Sequence, residues 1–285
     1  MTEVDGGFAR VGIVGLGLIG GSIGLATRRA CPDAEIVGID LDAAAVRGAV
    51  ACGAAHRASA DIAEVRDADL IVLAAPVRAN LVALDLVCRH ARPSAIVTDV
   101  GSTKRVIVDA ARSLGRLVAF VGGHPLAGAS HGGIAHARAD LFAGRPWVLT
   151  PDGEDADGAV GRVEAFVGAL GARPHRMTAE EHDRVMACVS HLPQVVSSAL
   201  MHVAGGRAGE AGLALAGEGL ADTTRLADSP GDIWRDICET NADHIRPALL
   251  QLITTLATLA DDLPAANLDS LFAAARSWRS KMRLT

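Results

Sequence analysis

Residues 11–40 constrain this chain more than any other stretch. Val11-Gly12-Ile13-Val14 is a short apolar run that breaks into Gly15-Leu16-Gly17-Leu18-Ile19-Gly20. A helix-like pattern follows, and a second apolar run, Glu35-Ile36-Val37-Gly38-Ile39, ends on Asp40. The order reads as strand, tight turn, helix, strand, and each glycine has a mechanical task. Gly15 permits the turn out of the strand, and Gly17 leaves no side chain between the backbone and a pyrophosphate. Gly20 lets the helix lie close to the strand. The helix start, at Leu18 and Ile19, offers unpaired N–H groups and a partial positive charge to phosphates. Asp40 stands about 20 residues beyond the last glycine, where a carboxylate hydrogen-bonds an adenosine ribose. The same carboxylate repels a 2′-phosphate, and no arginine follows it closely. The expected cofactor is NAD rather than NADP.

The rest of the chain can support such a module. Its 285 residues suit two domains or one large one. With 50% hydrophobic and 21% charged residues it can bury a core. A formal net charge of −6 argues against nucleic acid and anionic membranes as partners. No apolar run is long enough to span a bilayer, and Glu3 and Asp5 do not suit a signal peptide. Five scattered cysteines without a C-x-x-C pair suggest reduced thiols and a cytoplasmic protein.

Alternating strand and helix signals continue to about residue 177. Strands are expected at 69–75, 95–100, 117–121 and 147–151, with a short one near 173–177. Helices are expected between them, including Thr103–Leu114 and Ala159–Leu170. This predicts an α/β fold with a doubly wound, mostly parallel sheet over residues 1–177. In such sheets ligands bind beyond the carboxyl ends of the strands. That rule singles out Ala75-Pro76, here assigned to the cofactor, and Gly101-Ser102 and Gly123-His124. From residue 178 to 285 strand signals fade and a helical domain is expected. Its helices fall near 177–204, 211–226, 233–257 and 267–282, with Pro193 as a kink and Gly205-Gly206 and Ser229-Pro230-Gly231 as breaks.

A nicotinamide enzyme needs a group to handle a proton while hydride leaves. His124, just after a strand and between Gly123 and Pro125, is the best candidate, because histidine switches near neutral pH. The Ser102 hydroxyl can cap the following helix and also reach a substrate. His191, beside Pro193, fits either an interior position or a site. Arg225 suits bidentate carboxylate binding, or a solvated pair with Asp222 or Asp228. No metal site is expected, since the histidine spacings and cysteines fit no ligand motif. No Gly-x-Ser-x-Gly supports a serine hydrolase.

These pieces closely resemble the prephenate/arogenate dehydrogenase family. The segments that carry the resemblance run in family order. They are Gly15 to Ser22, Asp99-Val100-Gly101-Ser102-Thr103-Lys104, Gly123-His124-Pro125-Leu126-Ala127-Gly128, Ser190-His191-Leu192-Pro193, and Arg225 through Trp234-Arg235-Asp236. The resemblance implies a Rossmann domain followed by a helical dimerisation domain, and hence a homodimer. It implies oxidative decarboxylation of prephenate to 4-hydroxyphenylpyruvate, or of arogenate to tyrosine. In that reaction His124, helped by Ser102, handles the C4 hydroxyl. Arg225 clamps a substrate carboxylate and His191 contacts the side chain. Many members carry Glu where this chain has Ser130, so Ser130 helps shape the side-chain end of the pocket and bears on substrate choice. Neither a further regulatory ACT domain nor a chorismate mutase segment before Val11 is expected.

Other readings carry distinct signatures. β-Hydroxyacid dehydrogenases use a lysine in their helical domain, yet the only lysines here are Lys104 and Lys281. A relative acting on 4-amino-4-deoxyprephenate would share these motifs. A non-catalytic NAD-sensing dimer would form no NADH.

Overall fold

The computed structural model describes residues 7–115, 118–129, 131–153, 158–261, 263 and 268–282. Its N-terminal part is an eight-stranded sheet in the order β3-β2-β1-β4-β5-β6-β7-β8. The strands are β1 Arg10–Val14, β2 Glu35–Ile39, β3 Arg57–Ser59, β4 Leu70–Leu73, β5 Ile96–Asp99, β6 Ala119–Pro125, β7 Pro146–Pro151 and β8 Arg173–Arg176. All neighbours pair parallel except β6 and β7. The fold class read from the sequence is therefore the one observed. The three-residue β3 was not anticipated, because its residues carry no apolar run.

Both faces of the sheet are covered, which is why the strands are apolar at successive positions. Val11, Ile13, Ile36, Leu70 and Val72 pack into one layer. Val14, Val37, Ile39, Ile71, Leu73 and Val97 pack into the other. The sheet helices are α1 Leu18–Ala30, α2 Ala43–Ala51, α3 Val77–His90, α4 Arg105–Ser113 and α5 Ala159–Ala169. The first half of the sheet reverses its winding between β1 and β4, so the crevice for a ligand opens there.

One strand end and one helix start need correction. β6 does not stop at Val121 but runs through His124 to Pro125. β5 pairs only with Ala119–Val121, while the antiparallel β7 pairs with Val121–Pro125 and carries the strand onward. His124 is thus held inside a ladder rather than in a loop after it. The helix expected from Thr103 begins at Arg105. The expected starts at Leu117 and Asn267 lie outside the described residues.

The C-terminal part is helical. It comprises α6 Ala179–Met186, α7 Leu192–Leu213, α8 Glu218–Thr224, α9 Gly231–Thr240, α10 Ala242–Asp261 and α11 Leu268–Lys281. The helix expected over 177–204 is divided by one π-helical turn, Ala187–His191, and Pro193 sits in the first turn of α7, where a proline needs no N–H partner. Gly205 and Gly206 do not break the chain. The non-helical residue is Gly209, with φ +63°. The break at Ser229-Pro230 is observed, between a short 3-10 turn, Arg225–Asp228, and α9.

The helical part has a small core of its own, Ala187, Ile237 and Ile245 with Trp234 and Cys238 against it. By contrast Leu250, Ile253 and Leu256 of α10, and Phe272 and Trp278 of α11, are more than half exposed. Polar contacts join the two parts. Arg78 at the start of α3 pairs with Glu239, Thr103 Oγ1 lies 2.9 Å from Thr240 Oγ1, and Arg105 pairs with Asp243. These fix the helical part over the carboxyl ends of β4 and β5.

Candidate active site

The glycine turn at the β1–β4 boundary has the shape that a dinucleotide needs. Gly15 has φ +99°, and a Cβ there would lie 2.6 Å from the backbone of Ala74 and Ala75. A Cβ on Gly20 would lie 1.9 Å from the Gly15 carbonyl oxygen, so the helix start could not seat against the turn. Gly17, the N-cap of α1, faces open space. The first intrahelical donor is Gly21, to the Gly17 carbonyl at 2.9 Å, leaving the N–H groups of Leu18, Ile19 and Gly20 to a ligand. Asp40 is fixed at the end of β2 by two backbone donors, Leu16 N–H at 2.7 Å and Asp42 N–H at 2.9 Å. Across the crevice the Ala75-Pro76 turn is held by buried Asn80, which accepts from Ala75 N–H at 3.0 Å and donates to the Leu73 carbonyl at 3.2 Å. Open backbone, free N–H groups and a carboxylate at the end of β2 together fit NAD.

Beside this crevice a line of side chains ends on His124. Asp183 Oδ1 lies 2.8 Å from His182 Nδ1, and His182 Nε2 lies 2.8 Å from His124 Nδ1. Asp183 is an anion. Burial raises its pKa, but donation from His182 and from the N–H groups of Arg105 and Lys104 outweighs that and holds it below the usual value. An anionic carboxylate only accepts, so His182 Nδ1 carries a proton. Burial pushes the His182 pKa down, so its imidazole is neutral and Nε2 accepts from His124 Nδ1–H. His124 in turn lies well below 6.5, through burial first and then the nearby His182 and Lys104. Its Nε2 is left as a lone pair, the state a proton acceptor requires.

The neighbouring turn supports that line. Asp183 caps α4 with both oxygens, accepting Lys104 N–H at 2.7 Å and Arg105 N–H at 3.0 Å. Ser102 therefore does not cap the helix. Its hydroxyl has no partner among the described residues and remains available to a substrate. Buried Asp99 accepts from Gly101 N–H at 2.8 Å and Gly123 N–H at 3.0 Å, and pairs with the fully buried Lys104 ammonium. A Cβ on Gly123 would lie 2.6 Å from the Asp99 carbonyl oxygen. Glycine before His124 is thus required by the approach of β6 to the end of β5.

His191 is buried on the π turn, with Nδ1 3.2 Å from Asn241 Nδ2 and its ring 6.1 Å from that of Trp234. Burial takes its pKa to about 4. Arg225 is exposed and has no ion pair among the described residues, so the pairing with Asp222 or Asp228 is absent. Its turn is tied to α7, because Gln194 Nε2 donates to the Leu226 carbonyl at 2.6 Å. Ser130 lies outside the described residues. The segment after it is anchored on the cofactor half. Ile134 fills space where a Cβ on Gly21 would meet it at 2.4 Å and one on Gly48 at 2.8 Å, and Ser22 Oγ accepts from Arg138 N–H at 3.0 Å. Among the described residues no group of three or more His, Cys, Asp or Glu is arranged to hold a metal.

Sequence reading missed Asp99, Lys104, His182, Asp183 and Asn241 as site residues. One local signal existed for the second histidine. Thr178-x-x-Glu181 carries the capping-box pattern, and its N-cap half is observed, with Thr178 Oγ1 accepting from Glu181 N–H at 3.1 Å; it places His182 and Asp183 in the first turns of α6. Their pairing with His124, 58 positions away, has no signature along the chain.

Two family models match the chain. "Prephenate dehydrogenase, nucleotide-binding domain" covers residues 23–175, and "Prephenate dehydrogenase, dimerization domain" covers 178–276. Among curated proteins, prephenate dehydrogenase of Bacillus subtilis is 34% identical over 95% of this chain and 76% of its own length. Cyclohexadienyl dehydrogenase of Zymomonas mobilis is 32% identical over 88% of this chain and 87% of its own. Among solved structures, prephenate dehydrogenase from A. aeolicus in complex with hydroxyphenyl propionate and NAD+ superposes with a TM-score of 0.88. It is 29% identical, over 96% of this chain and 97% of that one.

Proposed function

This chain belongs to the prephenate dehydrogenase family, and from that premise we propose that His124 Nε2 is the base of its reaction. The protein is an NAD-dependent oxidoreductase that oxidatively decarboxylates prephenate or arogenate in the making of tyrosine. Bound NAD supplies the acceptor for the hydride that leaves C4 of the substrate ring. The Ser102 hydroxyl and His124 Nε2 orient the C4 hydroxyl, and Nε2 draws its proton as the C4–H bond breaks. The ring carboxylate leaves as carbon dioxide, its bonding pair completes the aromatic ring, and the proton returns to the phenolic oxygen. Asp183 and His182 keep the lone pair of His124 pointed at the site and stabilise positive charge as it builds on the ring, as in hydrolase triads. Arg225 holds a substrate carboxylate and His191 contacts the side chain. The observation that carries this reading is the Asp183–His182–His124 line, which fixes every tautomer and leaves His124 Nε2 without a partner among the described residues.

Substrate choice follows from the other end of the pocket. Ser130 supplies no carboxylate for the ammonium of arogenate, and His131 beside it supplies none. We read this as preference for prephenate or use of both. A partly exposed ion pair contributes only about 0–1 kcal/mol, which sets discrimination below roughly tenfold. Competing the two substrates in one reaction and measuring both aromatic products tests this; tyrosine as the sole product contradicts it.

The working unit is a homodimer. The exposed apolar residues of α10 and α11, in the segment matched as a dimerization domain, support a second copy over that face. Five cysteines without a disulfide support a cytoplasmic setting. No described helix is long and apolar enough to cross a membrane.

A further inference from the structure

Asn241 closes α9 and is fully buried between α9 and α10. Its amide orientation is fixed by chemistry. The Asp183 carbonyl can only accept, and the Asn241 amide nitrogen donates to it at 2.8 Å. The same nitrogen lies 3.2 Å from His191 Nδ1 and has only hydrogens to offer. Nδ1 must therefore present a lone pair. We infer that Asn241 is a positioning residue that locks His191 with its proton on Nε2, so that the pocket meets a substrate carboxylate with a neutral N–H donor.

The inference rests on the reading above that His191 contacts the substrate side chain. Three features support it. His191 Nε2 is buried and has no partner among the described residues. Native proteins leave few buried donors unpaired, and a ligand is one way to satisfy such a group. His191 sits on the π-helical turn Ala187–His191, and π turns concentrate at functional sites because they push a side chain out of helical register. The ring also sits edge-on to Trp234, at an interplanar angle of 77°, which restricts its rotation. A neutral donor recognises an anionic oxygen without adding a cation beside His124, where a positive charge would oppose protonation of the base. The full charge for the carboxylate then comes from Arg225.

Asn241 also ties the two histidine systems together. Its bond to the Asp183 carbonyl steadies the residue whose carboxylate orients His182. One amide thus sets the donor for the substrate side chain and braces the line that sets the base.

The test reads tautomer and kinetics separately, on the full-length protein with NAD bound. Two-bond proton–nitrogen correlation spectra of histidine-labelled protein should show His191 protonated on Nε2 and bare on Nδ1. In Asn241→Asp the new carboxylate can only accept, so the proton should move to Nδ1. Losing one neutral hydrogen bond should then raise KM for prephenate about three- to tenfold, and kcat should fall as well, because the same substitution removes the bond to the Asp183 carbonyl. Nδ1 protonated in the unmodified protein overturns the inference, as does a moved proton with unchanged KM. If Asn241→Asp does not fold, His191→Gln and His191→Leu replace it. Gln keeps a neutral N–H donor and should hold KM within about threefold, while Leu should not; equal KM values overturn the inference. Failure of the functional reading looks different, since the unmodified protein would then form no NADH from prephenate or arogenate. The spectrum alone then decides the tautomer, and Nδ1 protonated overturns it.

Discussion

His124 Nδ1 and His182 Nε2 face each other at 2.8 Å, and because Asp183 claims the other nitrogen of His182, this contact has one direction. The proton between the two rings belongs to His124. A histidine held this way has its opposite nitrogen ready for a substrate hydroxyl, as in a triad in which a carboxylate fixes the tautomer.

Removing the middle of that line should cost rate rather than affinity. His182→Ala leaves His124 free to rotate and to change tautomer, and should lower kcat about ten- to a hundredfold with little change in KM for NAD. His182→Gln, whose carbonyl oxygen can still accept from Nδ1–H, should recover part of the loss. Steady-state kinetics of the two variants check this. Equal kcat values for Ala and Gln would mean that His182 only fills space.

The pH profile should show the same environment. Burial first, then the neighbouring His182 and Lys104, push the His124 pKa well below 6.5. A base must be unprotonated, and a lowered pKa keeps it so in mild acid. The acid limb of kcat/KM should therefore fall off below pH 6.5. An acid limb at or above 6.5 would place the base elsewhere or His124 in a wetter setting.

On the reading that Asp40 meets the adenosine ribose, cofactor choice should depend on this residue. Its carboxylate is held by Leu16 and Asp42 N–H groups at the end of β2, where a ribose 2′-hydroxyl is welcome and a 2′-phosphate is repelled. kcat/KM measured with both cofactors at one pH should favour NAD, and Asp40→Ser should narrow the gap. Equal values in the unmodified protein, or NADP ahead, would contradict this account.

The fold was legible where the chain carries its own instructions. The Gly15-Gly17-Gly20 spacing, the apolar runs at β1, β2 and β4, and the alternation of strands with helices declare a doubly wound sheet. Gly123-His124 was legible too, although β7 draws His124 into the strand. What could not be read is what long-range pairing creates. Asp183 and His182 gain meaning only when α6 lies against α4 and β6. Asn241 does so only when α9 ends beside the π turn. Gly205-Gly206 reads as a break, yet the helix passes through it and bends out of helical geometry at Gly209.

Assembly should follow the exposed stripe on α10. Leu250, Ile253 and Leu256 recur at helical spacing and remain more than half exposed in one chain. Light scattering at micromolar concentration should give twice the 29.2 kDa protomer mass, and Ile253→Glu should shift the population toward monomer. A protomer mass at every concentration would leave that stripe without its partner.

In the proposed mechanism His124 Nε2 takes up the hydroxyl proton while hydride leaves. His124→Asn keeps a polar side chain at the position but cannot hold a proton. NADH formation from prephenate at saturating NAD and substrate should fall on the order of 10²–10⁴-fold, with KM for prephenate near that of the unmodified protein. A His124→Asn enzyme with near-normal kcat would contradict the assignment and the mechanism built on it.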